Sequence, residues 1–326
     1  MRSVQTILVG ISLLCSGGLA RAEDPPAAAA PVATATAPAP EPEPAPPPTK
    51  PAPPYSLPWQ LRPLLAVRVL RIEDSVAFYK DAMGNHGSTN AIMLLGGYRA
   101  WRQLTVVARL GMVANDPPTG KGAFSFVNPM LATYYSWKLP EGFRIAGFLG
   151  LTLPVGMGGG DKPDAAVAAA TSSGILARSA MDNAMFAVND MTIIPGIDIG
   201  YVGHDVTLQL EMTILQLNRV RGAAAQPDKF RTNMTMGAHL GLFIIPQLSF
   251  GAEVRYQRWL STPTAVKKDT TGTLRDNVTL AFGLRTHWKA GKAMLRPGIS
   301  YSRGVDKPMD ARSYNIVQFD FPVIFP

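Results

Sequence analysis

The chain has 326 residues, 47% of them hydrophobic and 17% charged, with a formal net charge of +8 and a single cysteine. The positive excess is spread out rather than clustered, which argues against a nucleic-acid partner. With Cys15 alone, a disulfide framework and a thiolate metal centre are excluded, and no His or acidic spacing typical of a metal site stands out, so neither metal nor cofactor is expected.

Residues 1–22 read as an export signal peptide. Arg2 supplies the positive end, Ile7 to Leu14 the short apolar stretch, and Ala20-Arg21-Ala22 the cleavage site. The apolar stretch is too short to cross a bilayer as a helix, and Leu14 is too bulky to precede a lipidated cysteine. Removal of Arg2 and Arg21, with no acid lost, takes the charge from +8 to +6. Residues 23–58 are Ala/Pro/Glu low complexity, including Pro38-Ala39-Pro40-Glu41-Pro42-Glu43-Pro44. Such a tract cannot bury a core and favours a disordered, extended polyproline II segment. It reads either as a spacer or as an arm towards the cell wall or a periplasmic partner.

From residue 59 to 326 the pattern changes to period two. In 206–214, Val206, Leu208, Leu210, Met212 and Ile214 alternate with Thr207, Gln209, Glu211 and Thr213. The same alternation runs through 233–242, 248–257 and 278–287, which is the signature of strands with one apolar face. Each run is about ten residues, the length of a tilted transmembrane strand. Twelve such segments are predicted, at 64–80, 90–101, 103–114, 122–138, 142–156, 191–202, 205–219, 231–245, 247–259, 276–289, 292–303 and 313–325. The first is the least regular, since Arg71, Glu73 and Asp74 interrupt it.

The joins after even-numbered segments are tiny: Arg102, 139–141, Gly203-His204, Pro246 and Ala290-Gly291. Those after odd-numbered segments are longer, with 157–190 the longest. Short turns at one rim and long loops at the other predict an antiparallel transmembrane β-barrel, turns in the periplasm and loops outside. Aromatic residues sort to the segment ends as two girdles would: Trp101, Trp137, Tyr201, Phe243, Trp288 and Phe325 at the periplasmic rim, and Tyr79, Phe124, Trp259, Tyr301 and Tyr314 at the other.

In these features the chain resembles the bacterial outer-membrane β-barrel proteins, a porin-like class. The last segment carries the specific part of the likeness, with Val317, Phe319, Phe321, Val323 and Phe325 alternating up to the C-terminus. The resemblance implies an outer-membrane location, contact with outer-membrane lipid, and recognition of the C-terminal strand by the outer-membrane assembly machinery. Here Pro326 follows the terminal aromatic, a departure from the usual ending. The class includes channels, a phospholipase and autotransporter translocators, so fold alone does not assign function.

Charges avoid the lipid face. Alternation therefore predicts a lumen lined by Arg68, Arg109, Arg144, Asp198, Glu211, His239, Glu253, Arg255, Arg285, His287, Arg296 and Asp320. Two readings follow: a polar pore with a weak anion preference, or a salt-bridged plug that holds the barrel shut. The 157–190 loop begins in glycines and becomes Ala-rich and helix-prone from Asp164 to Asn189, with Gly174 as the expected break. Arg178, Asp182 and Asn189 share one face and are the candidate gate of that loop, the alternative being an external cap. Enzyme signals are poor, because no serine or cysteine nucleophile sits near a base and an orienting partner. The sequence thus points to passive diffusion of small polar solutes through an outer-membrane channel. A non-conducting structural or anchoring barrel and a transporter of hydrophobic compounds are the alternatives.

Overall fold

The computed structural model describes residues 55–272 and 274–326. The signal peptide and nearly all of the Pro-rich segment lie outside the described residues.

Twelve long strands form the framework: β1 (Arg68–Lys80), β2 (His86–Trp101), β3 (Leu104–Asp116), β4 (Met130–Lys138), β5 (Phe143–Thr152), β6 (Asp190–Val202), β7 (Val206–Arg219), β8 (Phe230–Ile245), β9 (Leu248–Trp259), β10 (Asp276–Thr286), β11 (Gly298–Gly304) and β12 (Asn315–Phe325). Each pairs antiparallel with its sequence neighbour, and β1 pairs with β12 along its length, with Arg68 opposite Phe325 and Val76 opposite Val317. The sheet is therefore a closed barrel with no free edge, which satisfies every ladder without water.

The outer wall is apolar. Leu110, Leu149, Leu210, Val254, Phe282 and Phe319 are all strongly exposed, Leu210 to 62%, as lipid contact requires and water would penalise. The opposite face of the same strands buries Thr, Ser, Gln and charged side chains. A belt of this kind belongs in a bilayer.

Short turns and long loops separate as the sequence predicts. The β4–β5 turn is a single 3-10 turn, Pro140–Gly142, in which Gly142 has φ +87; a Cβ there would meet the Val202 carbonyl at 2.6 Å. Only glycine fits that turn.

Six predicted segments differ from the structure by more than two residues: the second starts earlier, at His86, the fifth ends earlier, at Thr152, and four others differ for reasons of packing or sequence. The first starts at Arg68, not 64, because Pro63 and the residues before it leave the wall and enter the lumen. The fourth is broken: a short strand, Ala123–Phe126, pairs with β3, and β4 starts at Met130. Pro129 has no N–H for the ladder. Asn128 turns instead to hold the long loop, accepting from Gly156 N (2.9 Å) and donating to the Ala187 carbonyl (2.9 Å). The tenth is interrupted at His287 and the eleventh at Arg296-Pro297, and Trp288–Ala290 and Ala293–Leu295 make a small hairpin that pairs with the end of β12 through Met294 and Leu295. The outer girdle is also corrected: Tyr79 and Tyr314 point inward, stacked at 4.8 Å, and Trp259 faces the lumen side with Gln257.

Candidate functional site: a lumen entered from both ends

Two pieces of chain occupy the barrel interior. From the periplasmic side, residues 55–67 run inside the wall. Pro58 and Pro63 prevent this stretch from joining a helix or a central strand, so its backbone groups need other partners. The lumen supplies them from side chains. Trp59 N and Gln60 N donate to Glu253, and Arg62 N donates to Glu211 at 2.6 Å. The Trp59 carbonyl accepts from Arg71 and Gln318, the Arg62 carbonyl from Gln209 (2.7 Å), and the Tyr55 carbonyl from Arg296 (2.6 Å).

The apolar side chains of this segment sit where the wall carries inward glycines. Leu61 rests on Gly237, Leu64 on Gly200, and Trp59 on Gly251 and Gly298; a Cβ at Gly237, Gly200 or Gly298 would collide with the segment, and one at Gly251 would crowd the Trp59 ring. Arg285 lies over the Trp59 ring at 4.4 Å, a cation–π contact strengthened by exclusion of water.

From the outer side comes the loop between β5 and β6. Its helix α1 (Ala165–Ala177) is capped by Asp164, whose Oδ1 accepts from Val167 N at 3.0 Å. The expected break at Gly174 does not occur; the helix runs past it to Ala177. The chain turns at Ser179 and Ala180, both with positive φ, before the short helix α2 (Asn183–Phe186). This turn carries Arg178 into the barrel. Arg178 is fully buried, donating to Ser75 Oγ (2.9 Å), to Glu73 and to Asp182 Oδ2 (2.9 Å). Asp182 in turn pairs with Arg109. Arg178 and Asp182 thus pair with each other and also reach the wall. Asn189 sits apart at the loop root, where its Oδ1 accepts from Gly160 N (2.8 Å).

Glu73 joins these parts, since Arg71 (3.1 Å), Arg109 (2.8 Å) and Arg178 converge on it. Asp320 binds Arg71 (2.7 Å) and Arg285, and Glu253 binds Arg255 (2.7 Å) with His239 3.4 Å away. Between the two inserts remains a cavity of about 50 Å³.

Of the residues expected in the lumen, Arg109, Asp198, Glu211, His239, Glu253, Arg255, Arg285, His287 and Asp320 are buried on the inner face. Arg144 and Arg296 stand partly buried near the periplasmic mouth. Arg68 is corrected: it is in phase with outward Leu70 and Ile72, its guanidinium over the Tyr98 ring at the rim. The sequence reading missed Trp59, Arg62, Arg71 and Glu73. Strict alternation from Val69 through Arg71, Glu73, Ser75 and Ala77 would have found two of them.

One pair with chemical potential also escaped notice. Ser249 Oγ lies 2.8 Å from His287 Nε2. The charged groups acting on His287 are Arg296 and Arg285, and the Phe243 ring packs on it at 4.8 Å. Among the described residues it forms no ion pair with a carboxylate, and the pair faces the lumen rather than lipid. A hydrolytic triad needs an acid to orient the base.

No protein-family profile and no curated protein matches the sequence. Among solved structures, the chain is similar to the COG4313 outer membrane channel from Pseudomonas putida F1, with TM-score 0.52 and 10% identity over 82% of this chain and 98% of that one. It is also similar to the KdgM porin (TM-score 0.44, 10% identity, 79% and 98% coverage). The translocator domain of autotransporter NalP from Neisseria meningitidis gives TM-score 0.42, 12% identity, and 79% and 87% coverage. The shared feature is the fold. With its closed wall, apolar belt and sorted loops, the chain is a twelve-stranded transmembrane β-barrel of the bacterial outer-membrane type.

Proposed function

We propose that this barrel is an outer-membrane channel for small solutes, shut in this conformation by its two inserts. The observation that carries the reading is how the inserts are held. Residues 55–67 are fixed by side-chain hydrogen bonds, an ion pair and glycine seats, and the 153–189 loop by side-chain bonds, ion pairs and a few backbone bonds outside the twelve-strand ladders, such as Asn128 N to the Met185 carbonyl; neither is a strand of the wall. Either can leave without unpairing a ladder. The wall they expose is polar, with a small excess of arginine over acid, so polar solutes with a weak preference for anions are the cargo that fits. The loop narrows the outer mouth, and Arg178 and Asp182 are its closing contacts. On this reading residues 1–22 direct export, the C-terminal strand engages the assembly machinery, and the Pro-rich arm serves a cell-wall or periplasmic partner.

A second reading has its own support. The residual cavity of about 50 Å³ between the inserts is too small to conduct, as expected of a permanently plugged anchoring barrel. Planar-bilayer recording of the folded protein separates the two. Unitary conductance steps support the channel, and an electrically silent protein that shows the heat-dependent gel shift of a folded barrel refutes it.

A further inference from the structure

On the outer side, beyond the Arg178 turn, the barrel holds a cavity of about 580 Å³. Its walls come from four loops and the outer ends of β6 to β10. Two properties distinguish it from the ion-paired lumen below. First, much of its wall is apolar, with Ile175, Phe186, Leu217 and Trp259 facing it. Second, the polar residues among them are short of donors. Asn183 Oδ1, Asp190 Oδ1 and Asn277 Oδ1 have no hydrogen-bond partner, although all three residues are more than nine-tenths buried. Against these three acceptors stands one unpartnered donor atom, Arg231 Nε. Unpartnered buried oxygens cost free energy unless something supplies them with protons.

We propose that this cavity is a binding site for a neutral, hydroxyl-bearing compound with a flat apolar body, a hydroxylated aromatic in its simplest form. Flatness follows from the Trp259 ring, already faced by the Arg231 guanidinium at 5.5 Å, with Phe186 among the other walls. Neutrality follows from the charges of the lining. Asp190, Asp228 and Asp276 are matched by Arg231, Lys307 and Arg312, so the site has no surplus of either sign to spend on an ion. Hydroxyls follow from the three oxygens, each an acceptor without a donor. A solute with acceptors alone leaves them unpaired, and a site built of buried acceptors discriminates on that ground. The site rests on the channel reading only for its role as an entrance; binding itself does not require conduction.

The test is calorimetric titration of the detergent-folded full chain with a naphthalenediol, its dimethyl ether and glucose. The diol is expected to bind saturably, one per chain. The ether, with the same body and no donor, should bind about tenfold more weakly, the worth of a net hydrogen bond, and glucose should not bind. Asn183→Leu should weaken the diol about tenfold and leave the ether unchanged. Trp259→Leu should weaken both. Should Trp259→Leu fail the heat-shift criterion for a folded barrel, Asn183→Leu decides the matter, because it lies in a loop outside the wall. Equal affinity for diol and ether, or unchanged diol affinity in Asn183→Leu, overturns the proposal. Diol binding by a protein that never conducts keeps this site and sinks the channel, and conductance without diol binding does the reverse.

Discussion

Removing the Trp59 side chain is the sharpest test of the periplasmic insert. Trp59 is 1% exposed, lies under Arg285, and fills the space left by Gly251 and Gly298. Trp59→Ala keeps the backbone N–H to Glu253 and the carbonyl bonds to Arg71 and Gln318, so only the side-chain seat is lost. Emptying a buried tryptophan site of this kind costs about 3–5 kcal/mol. The wall glycines belong to ladders that stay paired, so that cost falls on docking of the insert, not on the barrel. At about 1.4 kcal/mol per factor of ten, the undocked population rises roughly 10²- to 4 × 10³-fold. Two assays read that ratio. Opening frequency in a planar bilayer should rise by that factor. Thiol labelling of a Leu61→Cys reporter, reached only when the insert leaves Gly237, should accelerate equally in the Trp59→Ala background. Gly237→Leu offers the converse perturbation, a wall side chain placed where only Leu61 now sits. If neither rate changes in a protein that retains its heat-dependent gel shift, the insert is not a movable element.

Deleting residues 161–188 should leave a folded barrel, since no wall strand is touched, and the variant should conduct more and select less sharply by solute size; unchanged conductance makes the loop an external cap. Burial alone would raise the Asp182 carboxyl, but Arg109 and Arg178 outweigh it and hold it below its ordinary value of 3.8. Its contribution to loop docking is therefore complete above about pH 4 and lost as pH falls through the depressed value. Conductance should be flat from about pH 7 to 4 and rise only below, and Asp182→Asn should abolish that acid step; a rise starting near neutrality contradicts this assignment. Arg109 and Arg255 are each paired with carboxylates, whereas Arg144 and Arg296 have no acid within ion-pair distance among the described residues. Reversal potentials should show Arg296→Gln reducing anion preference more than Arg109→Ala or Arg255→Ala does.

The wall was legible because its chemistry repeats at the period of the strand. Over Val206–Ile214 of β7 and Leu248–Tyr256 of β9 every second residue is apolar and lies on the lipid face. β1 was harder to read. Its Asp74 lies on the outer face beside Asn90, which disguises the phase and makes Arg71 and Glu73 look like interruptions of a strand they in fact obey. The insert was hidden for a different reason. Tyr55, Leu57, Trp59 and Leu61 carry strand-like alternation, but the seats of Trp59, Leu61 and the intervening Ser56 are glycines 251 and 298, 237, and 241, far along the chain, and a missing side chain leaves no periodic mark. The cluster of inward glycines on β8 to β11 was the one available sign that something from elsewhere fills that space. Gly174 misled in the opposite sense, because its cost within a helix is small and packing of α1 on β2 and β3 overrides it.

The placement of residues 55–67 also bears on how the barrel comes to be closed. The segment precedes β1, yet its bonds reach Gln209, Glu211, Glu253, Arg296 and Gln318, across separations from 147 to 259 residues. The wall alone is stitched neighbour to neighbour, and its single long-range seam, β1 against β12, is the last to be rewarded and the slowest to find. A segment bonded to β7, β9 and β12 while covalently joined to β1 ties the late strands to the first from inside, so the piece that stops the lumen also braces the seam where the two ends of the sheet meet.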